Sequence, residues 1–463
     1  MATLMGTKRT RPLKLAHLVL GLVIALAALH LVPKPAEAQG RQLIRDAEIE
    51  DIIQAYATPL FQAAGLSPQA IDVYLVKDKQ LNAFVAGGQN IFIHTGLIMA
   101  SEDPLQLIGV IAHETGHISG GHIARRIDEF KDTNTQIIAT YILGLGAALA
   151  TGEPGLAAAI LSGGQDVILK GLLSYTRSQE QAADQAAINY LNRTRQSPRG
   201  LLEFMQTLGD QEILLAANQD PYLRTHPLTR DRIQFLEEQV RQSPFADQPA
   251  PPELVRLHKR MRAKLDGFLQ PVNRVLRKYR EDDNSVESRY ARAIAFYRRP
   301  DLTQALPLID GLIAEQPNDP YFLELKGQML FENGRIQESL PAYEAAVRLA
   351  PQSSQLTLGL ARAQIESNDP ALIDPALANL QVTLDQEPNN PGAWRLAAVA
   401  YGRKGDTGMT ALALAESSLA RRQAGDARQQ AKRAQELLPT GSPAWLRAQD
   451  VENRAQQLQN REK

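Results

Sequence analysis

The sequence predicts a mainly α-helical protein with one small β-sheet: an HExxH-bearing domain followed by an α-solenoid of stacked helix pairs. Three observations carry this. Short apolar stretches between residues 71 and 94, punctuated by Gly87-Gly88, read as strands. Behind them an apolar run over 105–112 leads with helical spacing into His113-Glu114-Thr115-Gly116-His117. From about residue 286 the chain repeats, with Pro317 and Pro351 separated by 34 residues.

Residues 71–76 and 84–86 are expected strands, and Gly87-Gly88-Gln89-Asn90 a turn into a third strand over 91–94. The helix that follows sets two imidazoles four residues apart on one face with a carboxylate between them. That spacing holds catalytic zinc. The preceding apolar run, with Ile118, Ile123 and Ile127 beyond, buries one side of the helix, so His113 and His117 face inward.

Two His ligands leave zinc short of the three protein ligands of a catalytic site, so a third is expected downstream. Glu180 is the candidate. It stands in Ser178-Gln179-Glu180-Gln181-Ala182-Ala183-Asp184, one turn from Asp184 and among alanines that permit close helix packing. Asp184 is expected to accept a hydrogen bond from the spare N–H of a ligating His. Such acidic pairs are ordinarily exposed helix faces; the HExxH upstream is what favours a ligand. His122 lies about 140° round a continuing helix from His117 and misses the metzincin spacing, so it reads as structural. His226, in Thr225-His226-Pro227, is fixed beside a proline and can be aimed at a metal site. His94 and His258 have no such context.

HETGH, the Glu180-to-Asp184 element and the His226-Pro227 segment, in that order and preceded by Asn82-Ala83-Phe84, resemble the zinc metallopeptidase family of the CAAX-prenyl protease and HtpX. The resemblance implies His113, His117 and Glu180 as ligands of one zinc ion per chain and Glu114 as general base. The reaction would be peptide-bond hydrolysis, with Glu114 taking a proton from the polarised water and passing it to the departing amine. A sheet ahead of the zinc helix suits substrate binding as an added strand, which favours unfolded, extended targets.

Residues 39–242 are the expected peptidase domain. The Pro-rich stretch from Gln242 to Pro252 is expected to leave it as an extended linker, and basic helical segments bridge onward to residue 285. Over 286–463 the 34-residue spacing is the tetratricopeptide period, with Gly327 small, Tyr343 and Ala346 in the core, and Pro351 closing the unit. About four repeats are expected, with an insertion around 370–375 and a helix near Trp394 that lacks a clear partner. Such arrays recruit protein partners.

At the start, Lys8, Arg9, Arg11 and Lys14 precede an apolar run over 15–32 and then Ala36-Glu37-Ala38, which reads as a signal peptide, 1–38, cleaved after Ala38. The chain has no cysteine, which excludes disulfides and a lipid-anchored N-terminus. Cleavage takes the formal charge from −1 to −5 and leaves no basis for nucleic-acid binding. The apolar stretch over 137–161, broken at Thr151 to Gly155, is expected to be a core hairpin, the alternative being a lid touching unfolded substrate or a membrane surface.

Signal peptide, zinc peptidase and repeat array in this order resemble, within that family, periplasmic peptidases of Gram-negative bacteria that act in outer-membrane β-barrel assembly. This implies degradation of misfolded or stalled barrel proteins, assistance to their assembly, and repeats that contact the assembly machinery. It also implies His226 as a regulatory fourth ligand that keeps the enzyme latent. The rivals are a chaperone or adaptor whose zinc site is plugged, and a housekeeping protease for unfolded periplasmic proteins.

Overall fold

The computed structural model describes residues 42–122, 125, 175–214 and 226–461. The expected signal peptide and the apolar 137–161 segment lie outside the described residues.

A four-stranded sheet opens the peptidase domain, in the order β1 (Gln42–Ile44), β2 (Val73–Lys77), β4 (Asn90–His94), β3 (Ala83–Ala86). β2 and β4 run parallel, whereas β1 pairs antiparallel with β2 and β3 with β4. The β3–β4 hairpin turns at Gly87 and Gly88, whose φ of +60° and +101° need glycine. The three expected strands are present; β1, only three residues long, was not foreseen.

Between β1 and β2 runs α1 (Ala47–Ala63), capped by Asp46, which accepts from the Ile49 N–H. Ile49, Ile52, Ile53, Tyr56, Leu60 and Phe61 recur at helical spacing and are buried in the main core. β4 passes directly into α2 (Thr95–Ala100), and Asp103 with Pro104 starts α3 (Pro104–Ser119), the HExxH helix. α3 is buried almost throughout because α4 (Arg177–Arg193) and α5 (Arg199–Leu214) both cross it. Glycines permit both crossings: a Cβ at Gly109 would lie 2.7 Å from the Leu201 nitrogen, and one at Gly116 2.8 Å from the Ala183 carbonyl oxygen.

After α6 (Arg230–Gln242) the Pro-rich stretch does not lead away as an extended linker. It turns back over the domain, where Ser243 Oγ bonds Asn192 Oδ1 at 2.6 Å and Ser197 Oγ donates to the Ala246 carbonyl at 2.5 Å. α7 (Pro252–Leu269) then adds Met261 and Leu265 to the same core as α1, and α8 (Val272–Lys278) completes the bridge.

Ten helices follow, in antiparallel succession: α9 (Val286–Arg298), α10 (Leu302–Glu315), α11 (Pro320–Glu332), α12 (Ile336–Leu349), α13 (Ser354–Glu366), α14 (Ile373–Gln386), α15 (Pro391–Arg403), α16 (Thr407–Ala420), α17 (Ala424–Leu437) and α18 (Pro443–Arg461). Gly327 abuts the Tyr343 ring, as the repeat pattern requires. The expected insertion is a 3₁₀ turn, Pro370–Leu372. The helix at Trp394 finds its partner in α16, which also packs on α17 and α18, so units counted separately in the sequence share a helix. No helix among the described residues is long and apolar enough to cross a membrane.

Candidate metal site

Three elements bring His113 and His117 (α3), Glu180 (α4) and His226 (the segment before α6) to one point, fully buried, with one potential ligand atom from each lying within 4.8 Å of all the others. His113 Nε2 and His117 Nε2 are 3.1 Å apart. Glu180 reaches His113 Nε2 at 3.5 Å, His117 Nε2 at 3.3 Å and His226 Nδ1 at 3.1 Å. A tetrahedral metal with bonds of about 2.0–2.1 Å separates its ligand atoms by about 3.3 Å, so the donor set has the right types and the right spacing for such an ion.

Local sequence explains each placement. His113 and His117 share a face by their four-residue spacing, and Thr176 and Gln179 form a capping box that starts α4 at Arg177, three residues before Glu180. Pro227 fixes the chain after His226, whose Nε2 lies 3.2 Å from the Ala83 carbonyl of β3 and 3.6 Å from Glu114 Oε1.

Asp184 Oδ1 stands 2.9 Å from His113 Nδ1, on the side away from the cluster. Arg232 of α6, also buried, grips both carboxylates: Nε and Nη2 donate to Asp184 at 2.7 and 2.9 Å, and Nη1 lies 2.6 Å from Glu180 Oε2 and donates to the Pro227 carbonyl at 3.0 Å. The sequence reading missed Arg232. Nothing local marks it; only the fold carries it back across the 48 positions to Asp184.

Charge is distributed unevenly in the metal-free protein. Burial raises Glu180, but His226, Arg232 and the two α3 imidazoles overcome that and hold it well below the usual carboxylate range. Asp184 is likewise lowered, burial being outweighed by Arg232. Glu114 goes the other way, since burial dominates over His226 and His113, and its carboxyl is raised. Burial and neighbouring cations keep His117 neutral, as a metal ligand must be. His113 is pushed up to about 10, burial being more than reversed by Asp184 and Glu180; the field that holds a proton there favours any cation.

His122 is not on the far side of a continuing helix. α3 stops at Ser119, and the chain doubles back so that His122 Nδ1 lies 2.9 Å from His117 Nδ1. Tyr175 stacks on the His117 ring, with centroids 3.6 Å apart. His94 and His258 are buried but are not part of this cluster, His258 Nε2 donating to the Ser101 carbonyl at 2.8 Å.

Residues 43–240 match the profile of peptidase family M48, and 290–354 and 325–372 match that of the tetratricopeptide repeat. The chain is 27% identical to the beta-barrel assembly-enhancing protease of Yersinia pestis, covering 81% of this chain and 76% of that protein. It is 24% identical to the protein of the same name in Escherichia coli K12, covering 71% and 67%, and 25% identical to the metalloprotease LoiP of that organism over 37% of this chain and 63% of LoiP.

Proposed function

We propose that this chain, which belongs to peptidase family M48 and carries tetratricopeptide repeats behind its peptidase domain, is a periplasmic zinc endopeptidase for misfolded or stalled outer-membrane β-barrel proteins. The observation that carries the reading is the buried three-His, one-Glu cluster with Glu114 beside it. His113, His117 and Glu180 would hold the zinc, and Asp184 would orient His113 from outside. Zinc at such a site supplies Lewis acidity toward a water and a peptide carbonyl. Glu114, whose carboxyl is raised by burial, would accept a proton from the attacking water and deliver it to the departing nitrogen.

β3 is an edge of the sheet, with β4 on one side and no strand on the other among the described residues. An extended substrate added there would be recognised through its backbone, which suits unfolded chains of varied sequence. His226 stands across this route: it contacts the Ala83 carbonyl of β3 and Glu114, and it supplies a fourth protein donor where catalysis needs an open position. Latency until His226 moves follows. The relatives' name supports the barrel substrate, and the repeats are the natural contact for assembly machinery.

The same fourth donor favours a second reading, an assembly chaperone or adaptor whose site stays plugged. One assay separates them: the zinc-loaded mature protein is given an unfolded barrel protein and an unfolded soluble protein, as wild type, Glu114→Gln and His226→Ala. The proposal expects cleavage that Glu114→Gln abolishes and His226→Ala increases. No cleavage by His226→Ala, with barrel assembly still promoted by Glu114→Gln, would leave the adaptor; equal cleavage of both substrates would leave a housekeeping protease.

A further inference from the structure

We infer that His122 is a positioning residue of the metal centre: it accepts the Nδ1 proton of His117 and so fixes the tautomer that presents Nε2 to the metal. The inference rests on the metal-site reading above, though not on the peptidase activity.

The chain is built to bring this ring back. α3 ends at Ser119, Gly121 takes φ +60°, and its N–H donates to the Ile118 carbonyl at 2.9 Å, closing a tight reversal. Gly120 is required by the ring itself, since a Cβ there would lie 2.6 Å from His122 Nε2 and 2.9 Å from Cε1. The two rings meet nearly edge to face, 5.0 Å apart at 74°, with His122 only 3% exposed.

Proton counting assigns the roles. Two imidazole nitrogens 2.9 Å apart share one hydrogen, so one donates and the other accepts. His117 Nε2 faces His113 Nε2 and Glu180, the side where a metal would sit, and must offer a lone pair there. Its proton therefore belongs on Nδ1, His122 Nδ1 is the acceptor, and the proton of His122 is on Nε2. With Tyr175 stacked on one face, His117 is held in both rotation and tautomer. The two ligand imidazoles then differ: His113 backs onto the carboxylate of Asp184, His117 onto a neutral ring. The carboxylate makes His113 the stronger donor of the pair.

The test measures zinc affinity of the mature protein by competition with a chromophoric chelator, for wild type, His122→Ala and His122→Asn, alongside long-range ¹H–¹⁵N NMR of the wild-type imidazoles. His122→Ala should bind zinc about 10–100-fold more weakly, the range for loss of an outer partner. His122→Asn, whose amide oxygen can accept in place of Nδ1, should recover most of that. The spectra should put the His117 proton on Nδ1 and the His122 proton on Nε2. A His122 protonated on Nδ1, or an alanine variant with wild-type affinity, overturns the proposal even if zinc binding and proteolysis are intact. Wild type that fails to bind zinc overturns the metal reading itself. If His122→Ala does not fold, the wild-type spectra decide alone.

Discussion

Replacing Gly116 by alanine tests whether the helix crossing sets the metal geometry. The new Cβ would lie 2.8 Å from the Ala183 carbonyl oxygen, 3.0 Å from Ala183 Cα and 3.2 Å from Ala186 Cβ, all backbone or near-backbone atoms of α4. Ordinary contact in a close-packed interior requires α3 and α4 to separate by about half an ångström. α3 carries His113 and His117 and α4 carries Glu180 and Asp184, so that separation enters the ligand set directly. Metal–ligand distances tolerate only about 0.2 Å. Overpacking costs about 1–3 kcal/mol, while alanine in a helix interior gains about 1 kcal/mol over glycine. The metal-free protein should therefore lose only about 0–2 kcal/mol by the same two terms. Restoring the ligand geometry requires squeezing the helices together again, so zinc affinity should fall about 5–150-fold, the equivalent of 1–3 kcal/mol. Chelator competition measures the affinity, and thermal melts with and without zinc measure the stability. Affinity within twofold of wild type would show that the crossing yields elsewhere, and the argument would fail.

Two further substitutions probe buried charge. Arg232→Met should destabilise the fold by about 3–5 kcal/mol in urea, because it leaves two buried carboxylates without their cation; a loss below about 1 kcal/mol would show that Arg232 does not clamp them. Glu324 in α11 is raised from 4.5 to about 7, burial and the neighbouring carboxylates Asp46 and Glu48 outweighing Lys264. A folded-state pKa above the unfolded one stabilises fully below about 4.5, and that contribution fades as pH rises through about 7. Glutamine keeps the neutral form at every pH, so the melting temperature of Glu324→Gln should exceed that of wild type by a margin that grows from acidic to alkaline pH; a pH-independent margin would refute this.

What could be read from the sequence was what local spacing encodes. His113 and His117 share a face by arithmetic, Gly87-Gly88 marks a hairpin because only glycine takes its φ values, and the 34-residue period names a helix-pair array. Glu180 was named as the third ligand because an HExxH stands upstream of it, whereas His226 as a fourth ligand needed the resemblance, since nothing local says which distant side chain meets a given helix. β1 was missed because three residues carry no periodicity. His122 was misplaced because the helix was extended through Gly120 and Gly121, although a glycine pair after the last apolar turn is a stop signal. Arg232 was invisible because its partners stand on another helix.

The joint between peptidase and repeats follows from the two faces of α1. Ile49, Ile52, Ile53 and Tyr56 commit one face to the peptidase core, so only the polar face remains for the solenoid. That face carries Glu48, Glu50 and Asp51, which meet the first helices of three successive pairs: Glu48 accepts from Tyr290 at 2.7 Å, Asp51 pairs with Tyr321, and Glu50 accepts from Gln355 at 2.8 Å. Just before α1, Arg45 bonds Glu387 at 2.8 Å. α7 reinforces the joint, with Lys264 3.1 Å from Glu48 and Arg260 bound to Glu48 and Asp319 while lying over the Phe322 ring. An apolar seam would tolerate sliding, whereas directional bonds among the buried Glu48, Arg260 and Lys264 hold only in one register, because any shift leaves one of these ions unpaired. The surface that tetratricopeptide arrays commonly offer to partners is thus partly engaged by the protein's own α1. A partner taking the same side of the array would have to break this charge register to do so, and the peptidase domain would then be held by the array less rigidly.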